Sequence, residues 1–361
     1  MLNTITLVKR LLMLSMAIAL VACNAHNREH QKLMGVYKTG PYRVGFRSLA
    51  VRDSMRTIGD SAYRPVQIGF WYPRKAGDQM RFMTFRNYFL LSAQEMGPGK
   101  LNSDSLIGNY KKLAVRFGVT KHGIDSLFSM SFIAKDGAPV RGGNFPMVLV
   151  GQGNMQTIFH QVVLCEYLAS HGFYVVTTPS PTRITGFYKG YNGLVAKARE
   201  QGADLAFARR KILQITDRKN IPTGIVAYSF SARAALLYAV KHSGLKAFIS
   251  LDGGIGNKMG KEWIDYVDDF DPGQITVPIL HIYQPGDEVV QPDFDLIKSL
   301  GSPTKKFVEV DSVNHEFFTV MGAADGAIPL FMARPYPNAK SRYQEVLDST
   351  NVFLEKYLKS L

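Results

Sequence analysis

The chain has 361 residues, 46% of them apolar and 20% charged, with a formal net charge of +14. Two cysteines exclude a disulfide-stapled scaffold, so stability has to come from a core, which a chain of this length can bury. The basic excess suits a membrane surface or anionic ligands, and the scatter of basic residues without stacking aromatics argues against nucleic acid as a partner.

Lys9 and Arg10 precede an apolar run over residues 11–19 that ends in Leu20-Val21-Ala22-Cys23. The run is too short to span a bilayer comfortably and ends in small residues, as a cleavable export signal does. The cysteine directly after Leu-Val-Ala resembles the lipobox of bacterial lipoproteins. That resemblance implies a signal peptide over residues 1–22, cleavage before Cys23, lipidation of its thiol and anchoring in the cell envelope. Residues 23–38 are polar and aperiodic, as expected of a tether leading to a domain over residues 39–361. The other cysteine, Cys165, sits in an apolar helical stretch and is expected to be buried.

Tyr42-Arg43-Val44-Gly45-Phe46 and Val66-Gln67-Ile68-Gly69-Phe70-Trp71-Tyr72-Pro73 read as two early strands at a sheet edge, with polar, turn-rich sequence over 53–62 between them. Residues 77–139 carry apolar spacing of helical type, over 81–91 and 110–115, interrupted by Gly97-Pro98-Gly99. This predicts a helical insertion of the kind that can roof a site.

A strand–helix rhythm follows, which predicts an α/β fold with a mostly parallel sheet covered by helices on both faces. Strands are expected over 145–151, 173–178, 224–228, 247–251, 279–283 and 306–310. Helices are expected over 158–171, stopping at Gly172, and over 194–213, 232–242 and 343–358.

One strand-to-helix junction carries chemistry, in Ala227-Tyr228-Ser229-Phe230-Ser231. A serine hydroxyl becomes a useful nucleophile when a tight turn exposes it and a neighbouring base takes its proton. Small residues two positions either side let the backbones approach. Here Ala227 and Ser231 stand where the pattern Gly-x-Ser-x-Gly has glycines. A serine capping the following helix is the plain alternative. The base of such a pair belongs on a loop after the last strand, where Asn314-His315-Glu316 follows Phe307-Val308-Glu309-Val310-Asp311, so His315 is the candidate.

From about residue 66 to 318 the chain resembles α/β-hydrolases related to platelet-activating factor acetylhydrolase and dienelactone hydrolase. The resemblance rests on Phe70-Trp71-Tyr72-Pro73, Phe145-Pro146-Met147-Val148-Leu149-Val150, Leu168-Ala169-Ser170-His171-Gly172-Phe173, Tyr228-Ser229-Phe230 and Val313-Asn314-His315-Glu316-Phe317. It implies an α/β-hydrolase fold and a carboxylic-ester hydrolase, in which His315 deprotonates Ser229 and an acyl-enzyme is then hydrolysed by water. Two acids fit. Asp252, in Leu251-Asp252-Gly253-Gly254, matches the acetylhydrolase position, while Asp287, in Pro285-Gly286-Asp287, matches the dienelactone hydrolase position; the spacing from Ser229 favours Asp252 slightly. The backbone amides of Phe230 and Asn154 occupy the oxyanion-hole positions. Gln152 replaces the family histidine in that loop, which puts the bracing of the loop in doubt.

No metal-ligand spacing and no glycine-rich phosphate loop is present, so no metal or other cofactor is expected. The leading expectation is a membrane-anchored esterase for a small short-chain or acetyl ester. The replacements at Ala227, Ser231 and Gln152 motivate a non-catalytic ligand-binding lipoprotein as the alternative, and a peptidase on the same fold uses the same three groups.

Overall fold

A ten-stranded sheet runs through the molecule in the order β10-β9-β8-β7-β5-β6-β2-β1-β4-β3. The computed structural model describes residues 32–58, 62–76, 79–95, 102–268, 270–286 and 290–359. The expected signal peptide, Cys23 and Asp287 lie outside the described residues, as does the tether before residue 32.

The strands are β1 (Val44–Ile58), β2 (Ala62–Pro73), β3 (Phe82–Thr84), β4 (Ser131–Asp136), β5 (Met147–Gly151), β6 (Tyr174–Thr177), β7 (Thr223–Tyr228), β8 (Leu245–Leu251), β9 (Ile279–Tyr283) and β10 (Lys305–Glu309). From β6 to β10 all neighbours are parallel, whereas β2 pairs antiparallel with both β6 and β1. The helices used below are α1 (Phe85–Leu91), α2 (Ser103–Arg116), α3 (Lys121–Ser129), α4 (Val162–Ser170), α5 (Gly190–Ile215), α6 (Ser231–Lys241), α7 (Val320–Ala327) and α8 (Ala339–Leu358).

The central strands are apolar throughout because each face meets helices. Along β5, Val148 and Val150 enter one core with α4, α7 and α8, and Met147 and Leu149 enter the other with α5 and α6. Strand side chains alternate between faces, so consecutive apolar residues are needed when both faces are covered. Helix α4 is buried along its whole length, Cys165 included, and the chain turns out of it at Gly172 with φ +88°. A side chain there would be strained by the backbone and would meet the Tyr42 ring.

Two expectations need correction. Residues 53–62 are not a turn-rich connection: β1 continues to Ile58 and β2 begins at Ala62. Asp53 is buried within β1, where Arg56 Nε donates to it at 2.7 Å, and the register shifts between Asp53 and Thr57. A bulge held by an ion pair thus carries polar sequence that reads as a turn. Residues 77–139 are also not purely helical, because the segment read as one helix over 81–91 divides into β3 and α1. With β4, β3 extends the sheet edge beyond β1, and α1, α2 and α3 pack over it.

Candidate active site

Parallel strands present their carboxyl ends on one side of the sheet, and the polar residues singled out in sequence converge there. Ser229 follows β7 directly and has φ +55°; Asp252 follows β8 and has φ +41°. For a residue with a Cβ such a backbone costs on the order of 1 kcal/mol and persists only where its surroundings hold it. They do so here: the Ser229 N–H donates to the Leu251 carbonyl at 3.1 Å, and the Ser229 carbonyl accepts from Ala232 and Gly254 N–H at 3.2 and 2.9 Å. The Asp252 N–H donates to the Ile282 carbonyl at 2.7 Å.

Ala227 and Ser231 fit at this turn because of a glycine on the next strand. Gly151 pairs with Ala227 in the β5–β7 register. A Cβ on Gly151 would lie 2.6 Å from both Cβ and Oγ of Ser231. The Ser231 hydroxyl is satisfied locally, donating to the Tyr228 carbonyl at 2.8 Å. The close approach that glycines within the turn usually permit is supplied from the neighbouring strand.

His315 opens a short turn, His315–Phe318, that Asn314 caps by accepting from the Glu316 N–H at 3.1 Å. The Tyr228 ring stacks on its imidazole with centroids 4.9 Å apart, and the Tyr228 hydroxyl donates to the His315 carbonyl at 3.0 Å. The ring is thereby aimed. Nδ1 lies 2.6 Å from Asp252 Oδ2, and Nε2 lies 2.8 Å from Ser229 Oγ. A carboxylate only accepts, so Nδ1 carries the proton and Nε2 is left to accept from the serine hydroxyl. The Asp252 side chain is 3% exposed and that of His315 is 18% exposed, so the relay runs from the interior to the surface. The sequence left two acids open; among the described residues it is Asp252 that touches the imidazole.

Beside the serine lies the loop after β5. Gln152 is fully buried; its Nε2 donates to Thr177 Oγ1 at 3.0 Å, and its carbonyl accepts from Gln201 Nε2 at 2.8 Å. Glutamine therefore ties this loop to β6 and α5. Gly153 N–H donates to Gln156 Oε1 at 3.1 Å, Met155 N–H to Thr182 Oγ1 at 2.8 Å, and Asn154 Nδ2 to the Tyr188 hydroxyl at 3.1 Å. Among the described residues, the amides of Phe230 and Asn154 donate to no protein group. Phe230 follows Ser229 directly, and Asn154 lies on the loop after the neighbouring strand β5, so these are the two amides that the oxyanion-hole expectation names.

Sequence reasoning missed Gly151, Tyr228 and Tyr188. The sequence cue for Gly151 is its proximity to the glycine-flanked loop Gly151-Gln152-Gly153; Tyr188 carries no local cue, because α5 and the turn before it bring it in from afar. Among the described residues no group of three or more histidine, cysteine, aspartate or glutamate side chains could hold a metal ion.

No family model matches the chain, and no curated protein matches it significantly. Among solved structures, a ferulic acid esterase from Streptomyces cinnamoneus superposes with a TM-score of 0.65 at 18% identity, covering 92% of this chain and 94% of that one. A cold-adapted esterase from an Arctic intertidal metagenomic library aligns over 88% of this chain with a TM-score of 0.46 at 15% identity, covering 95% of that chain. The strand order, the mostly parallel sheet with helices on both faces and the first of these likenesses give this chain the α/β-hydrolase fold.

Proposed function

We propose that the chain is a serine hydrolase that cleaves a carboxylic ester through an acyl-enzyme on Ser229. The observation that carries this reading is the continuous Ser229–His315–Asp252 contact, at 2.8 and 2.6 Å, with the half-buried serine on a left-handed turn. His315 Nε2 takes the hydroxyl proton as Oγ attacks the ester carbonyl, and Asp252 stabilises the imidazolium that forms. The Phe230 and Asn154 amides receive the charge that develops on the carbonyl oxygen. The imidazolium then protonates the leaving alkoxide, and the same nitrogen activates the water that releases the acid.

The departures at Ala227, Ser231 and Gln152 do not favour a purely ligand-binding role, because Gly151 makes room for the first two and Thr177 holds the third. The structural likeness to a ferulic acid esterase supports ester chemistry. The family motifs favour the acetylhydrolase and dienelactone hydrolase relatives and a small, short-chain ester. Export and anchoring at Cys23 complete the reading: the partner of the protein's amino end is a membrane of the cell envelope.

The reading is tested with a fluorophosphonate probe and 4-nitrophenyl acetate on the wild type and Ser229→Ala. Labelling and hydrolysis by the wild type, both lost in the variant, are expected; a wild type inert to both overturns it. An anilide with the same acyl group separates ester from amide cleavage. Incorporation of labelled palmitate, lost in Cys23→Ser, tests the anchor.

A further inference from the structure

Arg233 lies on α6, four residues after Ser229, and is only 6% exposed. Its Nε is buried with no hydrogen-bond partner, and among the described residues no carboxylate pairs with its guanidinium. Arg64, also buried, shows the usual arrangement: Nε and Nη2 hold the two oxygens of Asp204 at 2.6 and 2.5 Å, and Glu200 joins them. An arginine largely taken out of water without an anion loses hydration with little return, so such a group is uncommon unless an anion meets its fork.

The place of this guanidinium says what could fill it. A Cβ on Gly254 would lie 2.1 Å from Arg233 Nη1, so the cation rests flush against that glycine. Gly254 is the residue whose N–H holds the Ser229 carbonyl at 2.9 Å. Among the described residues, the rings of Tyr188 and Tyr191 are near enough to act on its charge. The Tyr188 ring stacks on Phe230 with centroids 5.7 Å apart, and its hydroxyl holds Asn154. The cation therefore shares its surroundings with the nucleophile turn and with both amides assigned to the oxyanion hole. Burial pulls the guanidinium down to about 10, which leaves it charged at neutral pH.

The geometry points to an anion subsite beside Ser229, in which Arg233 binds a carboxylate or phosphate borne by the substrate. This rests on the ester-hydrolase reading and narrows it to esters that carry a negative group within reach of the scissile bond. A planar fork with parallel N–H groups matches either oxyanion in two-point fashion, and at a buried position no water competes strongly for it. Tyr188 is suited to close one remaining side of the anion with its hydroxyl, whereas the Tyr191 hydroxyl already donates to Glu262.

The test compares two esters of equal length, 4-nitrophenyl pentanoate and the mono-4-nitrophenyl ester of glutaric acid. The wild type should show kcat/KM at least about 10-fold higher on the glutarate ester. Arg233→Met should lower that value about 100-fold while lowering the pentanoate value only a few-fold, so that the preference reverses. Lys246→Met, an exposed cation away from the site, should leave both values unchanged. The melting temperature of Arg233→Met should equal or exceed that of the wild type, because an uncompensated charge has been removed. Equal losses on both esters with a lowered melting temperature would make Arg233 a structural residue and overturn the subsite.

A second arm does not need turnover. Calorimetric binding of glutarate and of methylphosphonate to Ser229→Ala decides between carboxylate and phosphate, and binding lost in the Ser229→Ala, Arg233→Met double variant supports the subsite. A wild type that cleaves pentanoate without preference, with neither anion bound by Ser229→Ala, ends the subsite and leaves the hydrolase reading standing. A wild type inert to both esters and to fluorophosphonate ends the hydrolase reading, and the binding arm alone then decides whether Arg233 holds an anion.

Discussion

Two of the buried carboxylates, Asp252 and Glu166, are put to different uses. Asp252 sits at the carboxyl end of β8 against an imidazole that reaches the surface. Glu166 sits mid-way along α4, where Oε1 accepts from the Tyr88 hydroxyl at 2.6 Å and Oε2 from the Ile133 and Ala134 amides at 2.8 and 3.2 Å. Tyr88 in turn accepts from Trp71 Nε1 at 2.9 Å, so Glu166 ties α1 and β4 to the sheet. Both groups are desolvated. What separates them is the partner. The imidazole beside Asp252 presents its second nitrogen to the Ser229 hydroxyl and reaches the surface. The phenol beside Glu166 has no such second site, and burial drives it well above its ordinary value. A buried carboxylate becomes part of a proton path only when its partner has a second site through which a proton can pass; otherwise it is a fastening.

The largest effects belong to the end that holds Ser229, His315 and Asp252. Ser229→Ala or His315→Ala should lower kcat on 4-nitrophenyl acetate by about 10,000-fold or more, with the melting temperature little changed. Asp252→Asn should cost about 1,000- to 10,000-fold, because an amide can donate to Nδ1 and hold the ring in the wrong tautomer. If Asp252→Asn retains full activity while an Asp287 variant loses it, the comparison is misassigned. Gly151→Ala sharpens it differently. The new methyl would drive into Ser231, for which overpacking of this kind typically costs about 1–3 kcal/mol. Urea unfolding should report that loss, and activity should fall with it as the Ser229 turn shifts. The Glu166 end should keep its pH behaviour.

Much of the Ser229 end was legible in the chain, since the structure brings Ser229 and His315 together. Ser229 and His315 stand at junctions where an apolar strand gives way to a helix or loop, and chain order pairs them. The acid was not decided by the same reasoning, since Asp252 and Asp287 each follow a strand and only spatial contact separates them. The fastened end was hardly legible at all. Asp53 reads as a turn residue because its ion pair with Arg56 inside a bulge is invisible to periodicity. Phe82 and Met83 read as helix because three strand residues are too few to show alternation. Glu166 reads as one polar position on an apolar helix, and its three donors arrive from residues 32 to 78 positions away. Arg233 gives no cue in sequence either, because an unpaired charge is a property of its surroundings.

The smallest expected effect isolates Glu166 by its pH dependence. Burial pushes its carboxyl up to about 7, against the Tyr88, Ile133 and Ala134 hydrogen bonds that favour the anion. The unfolded chain releases this proton near the ordinary glutamate value, so between roughly pH 4.5 and 7 the folded protein holds a proton that the unfolded chain has lost. Its contribution to stability is thus fully present below that window and declines as pH rises through it. His160 and His281 act in the opposite sense, because burial lowers each to about 3 and their neutral rings favour the fold as pH rises. A whole-protein pH profile mixes these slopes. The difference between wild type and Glu166→Gln does not, since both histidines are common to the two proteins. The glutamine leaves one of the three donors unmatched and should destabilise the fold by about 1–3 kcal/mol at pH 5. That deficit should shrink as pH rises to 7, where the wild type loses its own advantage. Denaturant midpoints at pH 5, 6 and 7 measure it, and a deficit that stays constant or grows with pH would show that Glu166 is already ionised in the fold.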